Sequence, residues 1–521
     1  MKKFFEKNKL IVISAAMSFV FYTWIAMQIP YTHDDWDWGL NIGLQHLLTA
    51  DINSRYAGNL IEVIITRNSM IKSVMMGVVF ALIPLVATAF VSGLTNEVYK
   101  KQLTEIRQLC LFIVANIFFL TIPSEIWRET NGWIAGFSNF VTSSLALLLY
   151  YILLLNSEKL FIKRNNYKIK FISICLFGVI IQLFIENLSI YVLICSLLFL
   201  LLKRRSAEDR KVIVPLLLGN MVGTIMMFSS NIYSQLLSTG HAVGDYRQLM
   251  YDTNKPFYIF VVKAASRYVG KFIPMIMAND GVLMGVVAGL MAAVIFTKRK
   301  TGTPIRLLGI GNILFCLYYI YSYICPVSIF DSVGADKPLV YKGLISGTNS
   351  LFVLIITIEI ILLFNGEKKF MKWLLFVWIS PFFIIAPMVM INTVGPRCFY
   401  TTDICFIVFG MLVFYRFISH IKHQSLYVVF LFCAFANLVI GIQWINIYGP
   451  IGTHMRMRDN LIKAAISNND KLIAFPKYPN DEYLWLPDPM KEDPNRSVYF
   501  REFYKIPVDI DIWFESWNET K

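Results

Sequence analysis

The chain has 521 residues, of which 56% are hydrophobic and only 16% are charged, and its mean hydropathy is +0.57. A soluble protein carries about a quarter charged residues, so this composition excludes an ordinary soluble enzyme. The formal net charge is +14. The basic residues concentrate in alternate loops between apolar runs, which indicates membrane topology and argues against nucleic-acid binding.

Apolar runs of about 15–24 residues recur along the chain and predict an all-α, polytopic membrane protein, because helices satisfy their own backbone groups in lipid. The first run follows Met1-Lys2-Lys3. It is too long for a signal-peptide core and no small-residue cleavage site follows, so we interpret it as an uncleaved helix. The sequence predicts about thirteen transmembrane helices, at residues 10–29, 74–94, 109–122, 135–155, 171–185, 188–202, 212–229, 273–297, 306–328, 349–364, 373–391, 403–417 and 425–445.

The lysine and arginine distribution predicts the orientation. With the N-terminus inside, the inner loops hold 26 of these residues and the outer loops, without the C-terminal tail, hold twelve. The bias places the N-terminus in the cytosol and the C-terminus outside. We therefore expect two parts in a plasma-membrane protein: a transmembrane domain at 1–445 and an extracytoplasmic tail at 446–521.

Two outer segments, 40–66 and 256–271, are predicted to be helices that lie on the membrane surface. In the second, Lys263, Arg267 and Lys271 recur every four residues and form one basic stripe against an apolar face.

The tail is polar and proline-rich, which predicts a small ordered lobe. The eight cysteines include no CxxC pair, so they support neither a disulfide framework nor a zinc site.

The strongest functional signal directly follows the first predicted helix and reads Tyr-Thr-His-Asp-Asp-Trp-Asp-Trp-Gly at 31–39. Acids at a membrane surface are costly to hold, so Asp34, Asp35 and Asp37 are candidate functional residues. One of them can act as a general base, or Asp34 and Asp35 can bind a divalent cation such as Mg²⁺ or Mn²⁺. The alternative is that these acids only cap the next helix. His33 is expected to tune them.

Other polar residues lie in the predicted outer loops. Arg128 and Arg397 are candidate phosphate ligands, because a guanidinium makes two-pronged contacts with phosphate. The alternative is that each anchors its helix at the lipid headgroups or pairs with a nearby glutamate. Glu186 precedes Asn187 at an apolar turn, where a charged group needs a partner or a watery cavity. A structural ion pair with an arginine and a substrate contact both fit Glu186.

These features resemble the membrane glycosyltransferases of the GT-C fold, and in particular a bacterial family with an Asp-Asp first outer loop. The segments that carry the resemblance are short but ordered along residues 10–410, and all fall on the predicted outer face: Asp34-Asp35, Arg55-Tyr56, Trp133 through Gly136 to Asn139-Phe140, Glu186-Asn187 and Pro396-Arg397. The resemblance does not include the tail, and the Ala-Gly-Asn sequence after Tyr56 matches no known role.

The resemblance implies a polyprenyl-phosphate-linked sugar as donor, and a cell-surface glycopolymer or a lipid-linked glycan as acceptor. Asp34 or Asp35 is then the base that activates the acceptor hydroxyl for inverting transfer. Substrate contacts are expected from His33, Asp37, Arg55, Arg128, Asn139, Glu186, Asn187 and Arg397.

Three other functions remain open at this stage. A polysaccharide polymerase uses the same lipid-linked substrates, although it relies more on outer-loop arginines than on an early acidic pair. A lipid-linked glycan transporter is expected to have charged or broken helices at mid-membrane and often a repeated half, and the sequence has no repeat. A structural or assembly protein is the third alternative, with the tail as its binding element.

Overall fold

A computed structural model of the protein describes residues 9–157, 166–203, 206–242, 247–250, 255–298, 302–325, 338–392 and 394–518. Helices account for most of these residues, as the sequence predicts. In the first half of the chain the helices are α1 (Lys9–Gln28), α2 (Asp35–Gly39), α3 (Asn41–Thr49), α4 (Tyr56–Thr66), α5 (Ser69–Tyr99), α6 (Glu105–Leu120), α7 (Ser124–Thr130), α8 (Ile134–Leu155), α9 (Tyr167–Gln182), α10 (Glu186–Leu202), α11 (Ala207–Met227) and α12 (Asn231–Thr239).

The second half continues with helices and a few short strands. They are β1 (His241–Ala242), β2 (Arg247–Gln248), α13 (Phe257–Arg267), α14 (Ile273–Asn279), α15 (Gly281–Thr297), α16 (Thr303–Ile324), α17 (Pro338–Phe364), α18 (Lys368–Ile385), α19 (Tyr400–Ser419), α20 (His423–Asn468), β3 (Leu472–Phe475), α21 (Pro494–Tyr504) and β4 (Asp511–Phe514). Strands β1 and β2 pair antiparallel, whereas β3 and β4 pair parallel.

Within the described ranges, eight helical stretches are long and apolar enough to cross a membrane, or up to ten if two bent pairs each count as one span. The protein is thus a candidate multi-pass membrane protein, with fewer such helices than the thirteen predicted. Two predicted spans fall on α9 and α10, which have only 16 and 17 residues. The predicted spans at 349–364 and 373–391 belong to one helical stretch, Leu339–Met390.

Helix α19 lies at the centre of the helical bundle, and its apolar window is completely buried. It contacts α6, α15 and α18. Helices α1 and α20 pack on the outside, where only a small share of each apolar window is covered by protein. An apolar surface of that extent suits contact with lipid.

The segments predicted to lie on the membrane surface are helical in the structure. Helices α3 and α4 occupy most of 40–66, and α13 covers most of 256–271. No side chain of α13 is buried by protein. Such exposure suits a helix that lies on a surface.

The C-terminal lobe, which we define as residues 469–518, follows the C-terminal end of α20. The predicted boundary at 446 falls inside that helix, which runs unbroken to Asn468. In the lobe, β3 and β4 form a two-stranded sheet with α21 between them in sequence, and Ile473, Phe475, Phe500 and Phe514 are buried in a separate apolar core. One buried side chain of this core, Trp36, comes from the far end of the sequence.

Candidate active site

The aspartate-rich segment forms a tight turn followed by the short helix α2. Asp35 is completely buried and each of its carboxylate oxygens accepts a backbone N–H: Oδ2 from Thr32 at 2.8 Å and Oδ1 from Ala135 at 3.0 Å. Ala135 lies in the first turn of α8, so Asp35 caps that helix from a distant part of the chain. Burial raises the pKa of Asp35 despite these hydrogen bonds. Asp35 therefore stabilises the turn and fixes it to the start of α8.

Asp34 occupies the open side of the turn, and its side chain is 28% exposed. Its Oδ1 lies 2.7 Å from His33 Nδ1 and 2.5 Å from a guanidinium nitrogen of Arg496 in the C-terminal lobe. Burial alone raises the pKa of Asp34, but His33, Arg496 and Arg397 outweigh it and lower the pKa to about 2. Asp34 is therefore a carboxylate at neutral pH.

Asp37 lies one helical turn further on and shares the same arginine. Its Oδ1 is 3.2 Å from Arg496 Nη1. Burial and repulsion from Asp34 raise the pKa of Asp37 to about 6, although Arg496 opposes the shift. The three aspartates, all predicted as candidate site residues, thus have different environments: Asp35 is completely buried, Asp34 is ionised and partly exposed, and Asp37 has a raised pKa although it pairs with Arg496.

Glu62 on α4 is a fourth carboxyl group in this region, and the sequence analysis did not identify it. Its side chain is 1% exposed, and its Oε1 has no hydrogen-bond partner among the described residues. Burial raises the pKa of Glu62 well above its ordinary value, and the aspartates at 35, 34 and 37 raise it further. The sequence gives one indication of this residue, which is that Glu62 is an acid within the mostly apolar second half of α4.

Arginines and tryptophans form a wall beside the aspartates. The Arg397 guanidinium lies 5.7 Å from the Trp133 ring centroid and 5.9 Å from that of Trp485, and it pairs with Glu129 at 3.0 Å. Arg128 lies 5.8 Å from the Trp485 ring. The Trp133 ring also meets His33 edge-on at 6.3 Å. We call these residues the arginine–tryptophan wall. The wall contains both predicted phosphate ligands, Arg128 and Arg397. Its Trp485 belongs to the C-terminal lobe.

Arg55 and Glu186 form their own ion pair away from the open side. Arg55 Nη2 lies 2.8 Å from Glu186 Oε2, Arg55 Nε also donates to this carboxylate, and the Tyr233 hydroxyl donates to Glu186 at 2.7 Å. The structure therefore matches the ion-pair alternative for Glu186. The adjacent Asn187 is buried, and its side-chain amide makes no hydrogen bond within the described residues.

Asn139 lies behind the site, where it packs helices together. Its Nδ2 donates to the Ala135 carbonyl at 3.0 Å, and its Oδ1 lies against the α-carbon region of Gly58 on α4. The residue after Gly58 is Asn59, whose Nδ2 donates to Asn53 Oδ1 at 3.0 Å. The Ala-Gly-Asn sequence after Tyr56 thus has a packing role between α4 and α8.

The residues proposed as metal ligands do not fit that role well. Both oxygens of Asp35 are already occupied by backbone N–H groups, which leaves Asp34 as the accessible half of the pair. In the described part of the chain, no group of three or more His, Cys, Asp or Glu side chains is arranged to hold a metal ion. Mg²⁺ and Mn²⁺ sites need several free oxygen ligands.

A cavity of about 480 Å³ lies at the N-terminal end of α7. It is lined by the ends of α6 and α7, by α15, α16 and α20, and by Tyr483 of the lobe. Ser124 and Glu125 at the start of α7 face this cavity, whereas Arg128 and Glu129 on the same helix belong to the wall. The cavity therefore contacts the start of α7, and the charged site contacts its last turn.

Comparison of the chain with known protein families, with curated proteins and with solved structures finds no match.

Proposed function

We propose that the protein is a membrane glycosyltransferase of the plasma membrane, which moves a sugar from a polyprenyl-phosphate-linked donor to a cell-surface glycopolymer or a lipid-linked glycan on the outer face. The observation that carries this proposal is the position of Asp34. It is an ionised, accessible carboxylate beside a wall of arginines and tryptophans, on a protein with eight or more long apolar helices. A base next to cationic and aromatic groups suits sugar transfer from a phosphate leaving group.

In this mechanism Asp34 accepts the proton of the acceptor hydroxyl as its oxygen attacks the anomeric carbon of the donor. The new carbon–oxygen bond forms while the bond from that carbon to the phosphate oxygen breaks, and the configuration inverts. The polyprenyl phosphate leaves with the bonding electrons. Arg128 and Arg397 then stabilise the charge that develops on the phosphate.

The arrangement around α7 supports a lipid-linked donor. The cavity of about 480 Å³ gives the first part of a lipid chain room between helices, and the wall at the other end of α7 supplies the cations for the phosphate. Trp485, which is only partly buried, places an aromatic ring beside these cations. No step in this mechanism passes through a divalent cation, so we expect full activity in the presence of a chelator.

The deciding experiment compares envelope glycans by mass spectrometry in a deletion strain that carries the wild type, Asp34→Asn or Asp35→Asn at equal expression. The wild type should restore a missing sugar decoration and Asp34→Asn should not, because general-base catalysis contributes about 10²–10⁴-fold. For Asp35→Asn we expect lower protein yield and thermal stability, because Asp35 holds two backbone N–H groups. Full rescue by Asp34→Asn would refute the proposed role of Asp34.

One observation favours a lipid-linked glycan transporter as a second candidate. Glu359 on α17 is completely buried and accepts two hydrogen bonds of 2.8 Å from Asn312 on α16. Charged residues inside apolar helices are typical of transport pathways. Unchanged glycan structures in the deletion strain, together with lipid-linked precursors retained on the cytosolic face, would favour this candidate. Shortened chains with accumulated single repeat units would instead indicate a polymerase.

A further inference from the structure

The C-terminal lobe contacts the aspartate segment through one face of α21. Arg496, Phe500 and Phe503 stand at positions i, i+4 and i+7 of this helix, which is the spacing of a single helical face. Arg496 bridges Asp34 and Asp37. The contact joins two segments from opposite ends of the chain.

The two phenylalanines hold the apolar side of the same segment. The Phe500 ring meets Trp36 edge-on, with ring centroids 5.2 Å apart, and Trp36 is completely buried in the lobe core. Phe503 packs on Tyr31 with ring centroids 5.2 Å apart. The aspartate segment is therefore fixed to the lobe by an apolar anchor at Trp36, and the two aspartates that pair with Arg496 lie on either side of that anchor.

Arg496 is itself held in place within the lobe. Asp493 caps α21 by accepting the Arg496 backbone N–H at 3.3 Å, and the Asp493 carboxylate lies 3.8 Å from the side-chain Nε. The Arg496 side chain is only 20% exposed. A guanidinium with so little freedom fixes the orientation of the carboxylates that it contacts.

The contacts of Asp34 are asymmetric. Both His33 Nδ1 and Arg496 Nη2 make their closest approach to Oδ1, which is buried although the Asp34 side chain as a whole is 28% exposed. The exposed part of the side chain therefore lies outside Oδ1. We propose that Arg496 is a positioning residue of the active site: together with His33 it fixes Oδ1 of Asp34, so that Oδ2 is the atom that accepts the proton of the acceptor hydroxyl. This inference rests on the proposed transferase function. It makes the C-terminal lobe a part of the active site.

The simpler alternative is that Arg496 only attaches the lobe. The chain offers a matched control in Arg501, which lies on the same helix and donates to the Ile510 carbonyl at 2.5 Å and the Pro507 carbonyl at 3.3 Å, inside the lobe. Loss of Arg501 weakens the lobe without removing a contact to an aspartate. A loss of activity that occurs in the Arg496 variant and not in the Arg501 variant therefore reports on the contact between Arg496 and Asp34.

The test measures kcat, KM and the pH profile of the purified full-length protein in detergent, with a polyprenyl-phosphate sugar as donor. For Arg496→Gln we expect kcat to fall about 10–100-fold, because misplacing a reacting group by about 1 Å costs on that order. KM should change little. Arg496→Lys should be intermediate, since lysine keeps the charge without the two-pronged contact. Arg501→Gln should keep kcat near that of the wild type.

The pH profile separates positioning from attachment. Arg496 lowers the pKa of Asp34, so its removal should move the acid limb of kcat to higher pH. Arg501→Gln should leave this limb unchanged. The charged and titratable groups that surround Asp34 are His33, Asp35, Asp37, Glu62, Arg397, Asp493 and Arg496. Arg496→Gln and Arg501→Gln both keep all of these groups except Arg496, which only the first variant lacks.

Wild-type kcat and an unchanged acid limb in Arg496→Gln would overturn the inference, and so would equal losses in Arg496→Gln and Arg501→Gln. Asp34→Asn distinguishes this failure from failure of the proposed function. If Asp34→Asn is inactive while Arg496→Gln is fully active, only the role of Arg496 is refuted. If Asp34→Asn is fully active, both proposals fail.

Discussion

Glu62 shows how a single residue is shaped by the charges around it. It lies in the interior beside three aspartates, and Arg55, a cation that lowers its pKa, already pairs with Glu186. A buried carboxyl in this setting keeps its proton, because ionisation would place a further negative charge in a region of low dielectric. We therefore expect the Glu62 carboxyl group to be protonated in the active protein.

This expectation gives a prediction for Glu62→Gln, whose amide resembles the protonated acid. The folded protein holds the Glu62 proton more tightly than the unfolded chain, so the stability of the wild type falls as the pH rises above the ordinary value of 4.5. Glu62→Gln lacks this titration and should keep near-wild-type activity, with a stability advantage that grows with pH in thermal melts. Glu62→Ala is the control that removes the group. Loss of activity in Glu62→Gln would show that the charged form is required.

At this scale the sequence predicted some roles and missed others. Asp34, Asp35 and Asp37 stood out because three acids adjoin an apolar run, yet nothing in the sequence separates the ionised Asp34 from the buried Asp35. That difference arises when Ala135, from a distant helix, donates its N–H to Asp35. Arg496 escaped prediction because its partners lie near the opposite end of the chain and its own surroundings read as an ordinary polar tail.

At the scale of elements, the turn between α7 and α8 supports the lobe directly. A β-carbon added to Gly132 would lie 2.0 Å from the carbonyl oxygen of Tyr483, which is a contact between two backbones. Only glycine allows the lobe segment to approach this closely. The same segment continues to Trp485 in the arginine–tryptophan wall.

Gly132→Ala should therefore push the lobe away from α7. We expect a loss of about 1–3 kcal/mol in stability, because the clash involves rigid backbone atoms, together with faster proteolysis of the lobe. Thermal melts and limited proteolysis of the detergent-solubilised protein measure both effects. The control is Gly366→Ala, where no heavy atom lies within 4 Å of the added β-carbon. Equal stability of the two variants would contradict the proposed contact.

The helices themselves were predictable, because long apolar runs have few ways to satisfy their backbone groups. The number of membrane-spanning helices was not, since α9 and α10 are apolar but only 16 and 17 residues long. The change to a polar sequence near residue 446 does not end a helix, because α20 continues to Asn468.

At the scale of the whole molecule, the contact between the lobe and the aspartate segment requires that both lie on the same side of the membrane. The lysine and arginine distribution predicts that this side is the outside. A cysteine placed at Lys471, whose side chain is 81% exposed in the lobe, should react with a membrane-impermeant reagent in intact cells. A cysteine at Lys100, in a predicted inner loop, should react only after permeabilisation.

These labelling experiments need a background in which the partly exposed cysteines at 175, 316 and 325 are replaced. Reaction of both positions in intact cells would contradict the predicted orientation. Reaction of Lys100→Cys alone would place the site on the cytosolic side, and the acceptor would then be a cytosolic glycan.

The burial of Trp36 in the lobe core has a consequence for biosynthesis. Residues 462–514, which build the apolar pocket around Trp36, follow the aspartate segment in the chain and are therefore synthesised after it. During synthesis Trp36 thus has no pocket until this later part of the chain has folded. Under the proposed function, a chain truncated before residue 462 should insert in the membrane and remain inactive.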